Sequence, residues 1–576
     1  MKKFYGIKLR IILGVTFSLL LLLFVSPVWS KGGKTSTFAR KGMVVSDSEI
    51  ASQMGCSILK SGGNAIDAAV ATAFALAVTW PTAGNIGGGG FLVYHSTDGN
   101  VTSFDFREKA PIAATQDMYL SEQRLIRDNS NHDGFLSIGV PGTVAGLYKA
   151  HQLYGKKSWS ELLEPAIQLA SEGFEYTWAL YRQTNSKELK ERLQQYPSTA
   201  KVFYKKNLEP YQPGEIFRQP DLANTLKRIQ KYGHDGFYKG ITAEKLASFM
   251  QQNGGLIILE DLAQYEAIER KPVHGTYRGF DVYSMPPPSS GGIVLIEMLN
   301  ILEGYNLKDI GFNSALYLHL LTETMRRAYA NRAKYLGDSD FNPEMPVEKL
   351  LSKSYAEILR ESIDLSVASV SDSAGFNQGF ESDETTHFSV VDADGNAVSM
   401  TYTLEYSYGS GIVAEGLGFL LNNEMGDFNA IPGLTDSHGN IGTKPNLIAP
   451  QKRMLSSMSP TILAKDGKPV IVIGSPGGRT IINTVLQVVL NMVDHNMNIA
   501  EAIEAGRIHH QWLPDVTIVE KLAISSDTEK LFTNMGHKIR YGQYQGRAMG
   551  ISIDYENRII SGAADSRSLD GAAVGF

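Results

Sequence analysis

The stretch TTHFSVVDADGNAVSMTYT, residues 385–403, contains two runs of alternating side chains on either side of an Asp-Gly turn sequence. Alternation with a period of two is typical of β-strands with one buried face, and a short loop containing Asp-Gly is typical of a β-hairpin. These residues therefore predict a hairpin deep inside the chain. The preceding segment, 361–384, is rich in Ser, Gly and Asp without periodicity, which predicts a loop.

The hairpin can close in two ways, which differ by one residue in register. A three-residue loop, 393–395, pairs Asp392 with Asn396, whereas a two-residue Asp-Gly turn shifts that pairing by one residue. The first register sorts apolar and hydroxyl-bearing side chains onto opposite faces, and the second mixes them, so we favour the first. It places Thr385 opposite Thr403, with Cβ atoms roughly 4.5–5.5 Å apart.

A threonine hydroxyl is a good nucleophile only when a base removes its proton. Cleavage of the chain between Glu384 and Thr385 would free an α-amine that can act as this base, and Thr403 could orient the hydroxyl. The alternative is that the two threonines simply begin a β-strand, where β-branched residues are common. From the hairpin alone, the ordinary strand is the simpler interpretation.

Two downstream motifs suit acyl transfer. In GSPGGR, 474–479, a predicted strand runs into a Gly-Gly turn and then a helix, whose backbone N–H groups can hold an oxyanion. A plain tight turn is the alternative, and a phosphate loop is disfavoured because GxxxxGK[ST] is missing. RMLSSMSPT, 453–461, offers adjacent serine hydroxyls for a carboxylate, or else an ordinary polar turn.

The first thirty residues differ in composition from the rest of the chain. A basic start is followed by an apolar run of fifteen residues, 11–25, and by a small-residue pattern before Lys31. This predicts a signal peptide over 1–30 and a secreted or periplasmic protein without a stable membrane span after its removal. An uncleaved anchor is the alternative, although fifteen residues fall short of the ~20 that span a bilayer.

Composition excludes several classes of function. A net charge of −6 over 576 residues leaves no basic stripe for nucleic acid. Cys56 is the only cysteine, so no intrachain disulfide can form. No HExxH pair is present, so we expect no metal at His387, His509 or His510, and no cofactor. His387 shares the polar face of the hairpin with Thr385 and could orient it, but we favour a structural role. The length exceeds one ordinary core, and alternating helices and strands favour a layered α/β sandwich.

Taken together, the motifs resemble the γ-glutamyltranspeptidase family, over nearly all of the chain after residue 40. The motifs that carry the resemblance are GGNAIDAAVATAFAL, GNIGGGGFLVY, FREKAP, PPPSSGG, the hairpin sequence itself, GFLLNNEMGDF, KRMLSSMSPT and GSPGGR. The resemblance implies an N-terminal-nucleophile hydrolase fold, which is a four-layer αββα sandwich. It also implies a precursor that cuts itself into a large subunit, 31–384, and a small subunit, 385–576, which stay together as a heterodimer.

The same resemblance implies a role for each motif residue. It assigns Thr385 as nucleophile, Thr403 as its hydrogen-bonding partner, Gly477 and Gly478 as oxyanion hole, Arg107, Ser456 and Ser457 as ligands of the substrate α-carboxylate, and Glu405, Glu424 and Asp427 as ligands of its α-ammonium. Well-known members carry Asn at the position of Glu405. Three neighbouring acids should raise the pKa of at least one of them. Segment 433–444 falls where the family can carry a lid, with His438 in place of an aromatic residue.

The activity implied is transfer or hydrolysis of γ-glutamyl groups. The donors would be glutathione and other γ-glutamyl compounds, the intermediate an ester on the threonine, and the acceptors water, amino acids or dipeptides. One alternative is a related amidase, such as a poly-γ-glutamate depolymerase or a β-lactam acylase. Another is an exported binding protein without catalysis, which would remain a single uncut chain.

Overall fold

A computed structural model describes residues 35–372, 385–435 and 441–576. The predicted signal peptide 1–30, the predicted cleavage residue Glu384 and the lid residue His438 lie outside the described residues.

The strands form two large antiparallel sheets and two small ones. In chain order they are β1 (Thr37–Ala39), β2 (Met43–Ser46), β3 (Gly89–His95), β4 (Val101–Phe106), β5 (Phe174–Glu175), β6 (Ile216–Phe217), β7 (Ile268–Arg270), β8 (Val273–Tyr277), β9 (Phe280–Ser284), β10 (Thr386–Val391), β11 (Ala397–Thr403), β12 (Thr461–Lys465), β13 (Lys468–Gly474), β14 (Ile508–His509), β15 (Thr517–Glu520), β16 (Ile539–Gly542), β17 (Met549–Asp554), β18 (Ile559–Ala564) and β19 (Ala572–Gly575).

Most of the helices precede residue 384 in the chain. They are α1 (Glu49–Lys60), α2 (Ala65–Thr79), α3 (Thr143–Tyr154), α4 (Trp159–Glu172), α5 (Trp178–Thr184), α6 (Lys187–Gln194), α7 (Pro197–Phe203), α8 (Pro220–Tyr232), α9 (Asp235–Tyr238), α10 (Gly240–Gln252), α11 (Leu259–Ala263), α12 (Gly291–Leu302), α13 (Leu307–Ile310), α14 (Ala315–Tyr335), α15 (Val347–Leu351), α16 (Lys353–Glu361), α17 (Thr480–Val493), α18 (Ile499–Glu504) and α19 (Ser526–Asn534). Within the described part of the chain, none of them has both the length and the apolar character needed to cross a membrane.

Each large sheet has seven strands, and the predicted hairpin occupies the middle of one of them. The first sheet has the order β19-β2-β10-β11-β3-β4-β7, and the second has the order β1-β18-β17-β13-β12-β9-β8. Both sheets contain strands from before and after residue 384. β10 and β11, for example, pair with β2 and β3 from the first part of the chain.

Three hydrophobic clusters separate four layers. One lies between the first sheet and its helices and includes Phe74 and Val398. A second lies between the second sheet and helices such as α12 and α17, and includes Ile473. A third, between the two sheets, contains Val93 and Val472. This order of helices, sheet, sheet and helices confirms the predicted αββα sandwich.

The register of the hairpin is also confirmed. Thr386 lies opposite Tyr402 along β10 and β11. The Asp392 N–H donates to the Asn396 carbonyl at 3.0 Å, which closes the three-residue loop. Gly395 has φ +90°, in the left-handed region that glycine tolerates best.

The hydroxyl-bearing face of the hairpin lies against the second sheet. The Ser389 hydroxyl donates to the Met549 carbonyl at 2.9 Å, and the Ser399 hydroxyl donates to the Ile473 carbonyl at 3.0 Å. His387 lies between them, with Nδ1 2.8 Å from Thr401 Oγ1, and burial lowers its pKa to about 3. These contacts make His387 a neutral structural residue that links hydroxyls within the sandwich.

Candidate active site

A cavity at the end of the hairpin brings together nine of the ten predicted site residues. Its lining consists of Arg107, Thr385, Thr403, Glu405, Glu424, Asp427, Ser456, Ser457, Met458, Gly478 and Ile481. Gly477 is the predicted residue that does not line it. Met458 and Ile481 were not predicted, although each lies within three residues of a motif position.

The two threonines occupy the end of the hairpin from which Thr385 enters β10. Continuing the register by one residue places Thr385 opposite Thr403, and both are 3% exposed. The Thr403 hydroxyl accepts a hydrogen bond from the Glu405 N–H at 2.8 Å, and its carbonyl accepts one from Asn85 Nδ2 at 2.8 Å. Thr403 is therefore held through both its backbone and its side chain.

A partly buried ion pair that the sequence did not indicate contacts the backbone of Thr385. Arg547 Nη2 donates to the Thr385 carbonyl at 3.2 Å, and Arg547 Nε lies 3.5 Å from Asp47 Oδ1. The neighbouring Thr386 hydroxyl donates to Asp47 Oδ2 at 2.8 Å. Asp47 and Arg547 thus fix the backbone at the predicted cleavage point. Neither belongs to a recognisable motif.

The Gly-Gly turn joins β13 to α17 through left-handed backbone. Gly477 has φ +129° and Gly478 has φ +51°. A Cβ atom on Gly477 would lie 2.5 Å from Thr480 Oγ1, so glycine is required there for space as well as for conformation. The turn brings Gly478 to the wall of the cavity that contains Thr385.

Arg107 follows β4 and contacts the acids of the cavity directly. Its Nη1 lies 2.6 Å from Glu424 Oε2, and its Nη2 is bonded to Asp427. Glu424 and Asp427 belong to one short 3-10 helix, Glu424–Asp427. Arg107 is 1% exposed, so this ion pairing takes place away from water.

The acid cluster around Arg107 has perturbed protonation. Burial raises the pKa of Glu424 well above its ordinary value, Arg107 opposes this, and Glu108, Asp427 and Glu405 add to the rise. Burial likewise raises the pKa of Glu108, against the pull of Arg107. Repulsion among the acids was the cause expected from the sequence. It contributes, but burial is the larger cause.

Glu405 has a partner that the sequence did not reveal. Its Oε1 lies 3.0 Å from Nδ1 of His132, whose ring stacks on Tyr406 with 5.1 Å between centroids. Glu405 has φ +77°, a region in which Asn is far commoner than Glu. A carboxylate is thus held in backbone suited to an amide side chain. His132 lies in a loop far upstream without a motif around it, so no sequence pattern pointed to it.

The serine pair is held by the PPPSSGG turn and by a buried arginine. The Ser456 carbonyl accepts hydrogen bonds from the Ser290 N–H at 2.8 Å and the Ser290 hydroxyl at 2.6 Å. Arg332, from α14, donates from Nη2 to the Ser457 hydroxyl at 2.9 Å and from Nε to the Ser290 hydroxyl at 2.9 Å. The turn and the arginine therefore fix the loop that carries both serines.

The two ends of the predicted lid segment, 433–444, are tied together. The Gly433 N–H donates to the Gly442 carbonyl at 2.9 Å, and the Gly442 N–H donates to the Thr435 hydroxyl at 3.0 Å. Closure over the site stays a prediction.

Comparison with known proteins agrees with this arrangement. The family model described as gamma-glutamyltranspeptidase matches residues 51–575. The glutathione hydrolase proenzyme of Escherichia coli (strain K12) is 47% identical over 544 residues, which cover 93% of this chain and 92% of that protein.

Two solved structures extend the comparison to the fold. The cephalosporin acylase from Bacillus halodurans has a TM-score of 0.81 at 27% identity, covering 96% of this chain and 99% of that one. The gamma-glutamyltranspeptidase from Helicobacter pylori has a TM-score of 0.54 at 43% identity, covering 60% of this chain and 95% of that one. The match to the family model over residues 51–575 and the high identity to its relatives show that this chain belongs to the γ-glutamyltranspeptidase family.

Proposed function

We propose that this chain is an exported precursor that cleaves itself between Glu384 and Thr385 and then acts as a γ-glutamyltransferase and glutathione hydrolase. The observation that carries the proposal is the cavity in which Thr385, Thr403 and Gly478 lie beside Arg107 and its acids. The cavity combines a hydroxyl nucleophile, a turn whose backbone N–H groups can bind an oxyanion, and both positively and negatively charged side chains. Family membership and relatives that bear the name glutathione hydrolase proenzyme support the same activity.

The freed α-amine of Thr385 takes the proton of its own hydroxyl as Oγ1 attacks the γ-carbonyl carbon of the donor. Backbone N–H groups of Gly477 and Gly478 stabilise the resulting oxyanion. When this tetrahedral oxyanion collapses, the C–N bond of the donor amide breaks. The departing amine takes the proton from the α-amine of Thr385, and a γ-glutamyl ester remains on Thr385. Water or an acceptor amine then attacks the ester, which restores the hydroxyl and releases glutamate or a new γ-glutamyl compound.

The charged walls suit the zwitterionic end of a γ-glutamyl group. Arg107 can bind its α-carboxylate through two parallel hydrogen bonds, assisted by Ser456 and Ser457. Glu424 and Asp427, which both contact Arg107, would turn to the α-ammonium, together with Glu405. Binding then exchanges internal ion pairs for ion pairs with the donor, so no buried charge is left without a partner.

Sheet topology supports two subunits that remain together after cleavage. β10 pairs with β2, β11 pairs with β3, and β12 pairs with β9, so a cut after residue 384 leaves each sheet built from both pieces. Separation of the subunits would break several strand pairings and open the cores on both sides. We therefore assign 31–384 to the large subunit and 385–576 to the small subunit of one heterodimer.

Replacement of the nucleophile tests the proposal. We expect Thr385→Ala to remain a single chain and to release no p-nitroaniline from γ-glutamyl-p-nitroanilide. The matched control is Thr386→Ser, which keeps the hydroxyl that contacts Asp47 and should yield two subunits and an active enzyme. Normal cleavage or turnover by Thr385→Ala would contradict the proposal.

A related acylase is the second candidate, because the B. halodurans cephalosporin acylase matches nearly the whole fold. Glutaryl-p-nitroanilide, which is the γ-glutamyl donor without its ammonium group, distinguishes the two. The acids Glu405, Glu424 and Asp427 should favour the ammonium-bearing donor by about tenfold or more in kcat/KM, as the loss of one charge-assisted interaction implies. Equal turnover of both donors would favour the acylase.

A further inference from the structure

His132 belongs to the loop between β4 and α3 and contacts Glu405, which lines the cavity that contains Thr385. His132 is 7% exposed and Glu405 is 4% exposed. Burying a carboxylate is costly unless polar groups surround it, so a contact of this kind bears on whether Glu405 stays charged. The mechanism above assigns no role to His132.

The surrounding residues are arranged to bring the histidine and the glutamate together. Asn423 joins the two segments, because its Oδ1 accepts from the Tyr406 N–H at 3.1 Å and its Nδ2 donates to the His132 carbonyl at 3.2 Å. The His132 ring stacks on Tyr406, with only 6° between the ring planes. Gly426 leaves the necessary space, since a Cβ atom there would lie 2.2 Å from His132 Nδ1. The contact with Glu405 is therefore fixed from three directions.

The histidine faces the carboxylate as a neutral ring. Burial lowers the pKa of His132, although Asp427 and Asp133 oppose this, so the imidazole is uncharged at neutral pH. A neutral imidazole can carry its proton on Nδ1, which lies 3.0 Å from Glu405 Oε1. Such a ring stabilises the negative charge of Glu405 without cancelling it. The full charge then remains for the α-ammonium of a donor.

The backbone of Glu405 is fixed from the side of the two threonines. Its N–H donates to the Thr403 hydroxyl at 2.8 Å, and its φ of +77° lies where Asn is far commoner than Glu. An Asn side chain carries no charge, so it would not need a partner that stabilises one. Glu405 does need such a partner, and His132 provides it.

We propose that His132 is a positioning residue that holds the Glu405 carboxylate in place as a charged ligand, and that this pair sets the selectivity for donors that carry an α-ammonium. This inference rests on the proposed function. His132 acts through Glu405, so its effect should appear in donor binding and should depend on the glutamate.

Two donors that differ only in the ammonium group provide the test, γ-glutamyl-p-nitroanilide and glutaryl-p-nitroanilide. His132→Phe keeps a ring against Tyr406 but removes Nδ1. We expect it to lower the ratio of kcat/KM for the first donor to that for the second by about tenfold, mainly through a higher KM for the first. His132→Asn should restore part of the ratio, because its amide nitrogen branches from Cγ as Nδ1 does.

The matched control is His274→Phe, in β8. His274 is an exposed histidine that also contacts a carboxylate, with Nε2 2.8 Å from Asp281 Oδ1, and it also stacks on a tyrosine, Tyr283. This control should keep the wild-type ratio. An unchanged ratio in His132→Phe would overturn the inference and leave the γ-glutamyl chemistry intact.

The same substitution in a Glu405→Asn background separates positioning from a general structural role. There we expect His132→Phe to change the ratio by less than about twofold, because the charge that it supports is gone. A loss as large as in the wild-type background, including a failure to fold in both, would overturn the inference. A wild-type enzyme without activity on γ-glutamyl-p-nitroanilide would instead refute the proposed function, and this inference with it.

Discussion

Thr385 and Thr403 lie opposite each other where β10 begins and β11 ends, at the wall of a cavity that also contains Arg107 and its acids. The pairing follows from a three-residue hairpin loop eight residues away from Thr385, so the position of the proposed nucleophile depends on a register that Gly395 and Asp392 set.

We expect Thr403→Val to reduce both self-cleavage and turnover by about a hundredfold, because the Thr403 hydroxyl would no longer orient that of Thr385. Thr403→Ser keeps the hydroxyl and serves as the control. Band intensities on a denaturing gel over time measure cleavage, and p-nitroaniline release measures turnover. Wild-type rates in Thr403→Val would show that the pairing has no catalytic role.

Arg107→Lys should lower kcat/KM for γ-glutamyl-p-nitroanilide by about tenfold to a hundredfold, mainly through a higher KM. Lysine cannot form two parallel bonds to a carboxylate, and it cannot contact Glu424 and Asp427 together as Arg107 does. Arg218→Lys, at an exposed position, is the control. Steady-state kinetics provide the measurement, and an unchanged KM would show that Arg107 does not bind the α-carboxylate of the donor.

Donor binding should depend on pH, and the protonation of the acids around Arg107 should determine the direction of this dependence. The pKa of Glu424 is raised, so at lower pH it is protonated and cannot neutralise the α-ammonium of the donor. The KM should therefore fall as pH rises. Because Glu108 contributes to the raised pKa of Glu424, Glu108→Gln should move this fall in KM to lower pH. A profile identical to wild type would exclude coupling between the two carboxyls.

Glu297, in α12, should make stability depend on pH. Burial raises its pKa to about 8, against 4.5 for the ordinary group. A raised carboxyl pKa means that the folded state holds its proton more tightly than the unfolded state. Stability from this group is complete below pH 4.5 and is lost as pH rises through about 8. In Glu297→Gln, the fall in Tm between pH 6 and pH 9 should be smaller by about 2 °C or more. An equal fall would show that Glu297 does not titrate in this way.

Local patterns in the sequence predicted the hairpin and its register, whereas the resemblance to the γ-glutamyltranspeptidase family supplied most of the residues that converge on the cavity. Alternation specifies register because one face is buried, and the motif residues lie next to the turns that place them. Asp47, His132, Arg332 and Arg547 could not be predicted. Each reaches the site from a distant element, and its partner is set by sheet order and helix packing, which no local pattern contains. The size of the pKa shift at Glu424 depends on burial, which is likewise set by sheet order and helix packing.

The most direct test of the account is the N-terminal sequence of the smaller fragment of the purified protein. The account predicts Thr-Thr-His-Phe, beginning at Thr385, in a fragment that stays associated with the larger one until denaturation. A single uncut chain with full γ-glutamyl transfer activity, or an active fragment that begins at another residue, would contradict it.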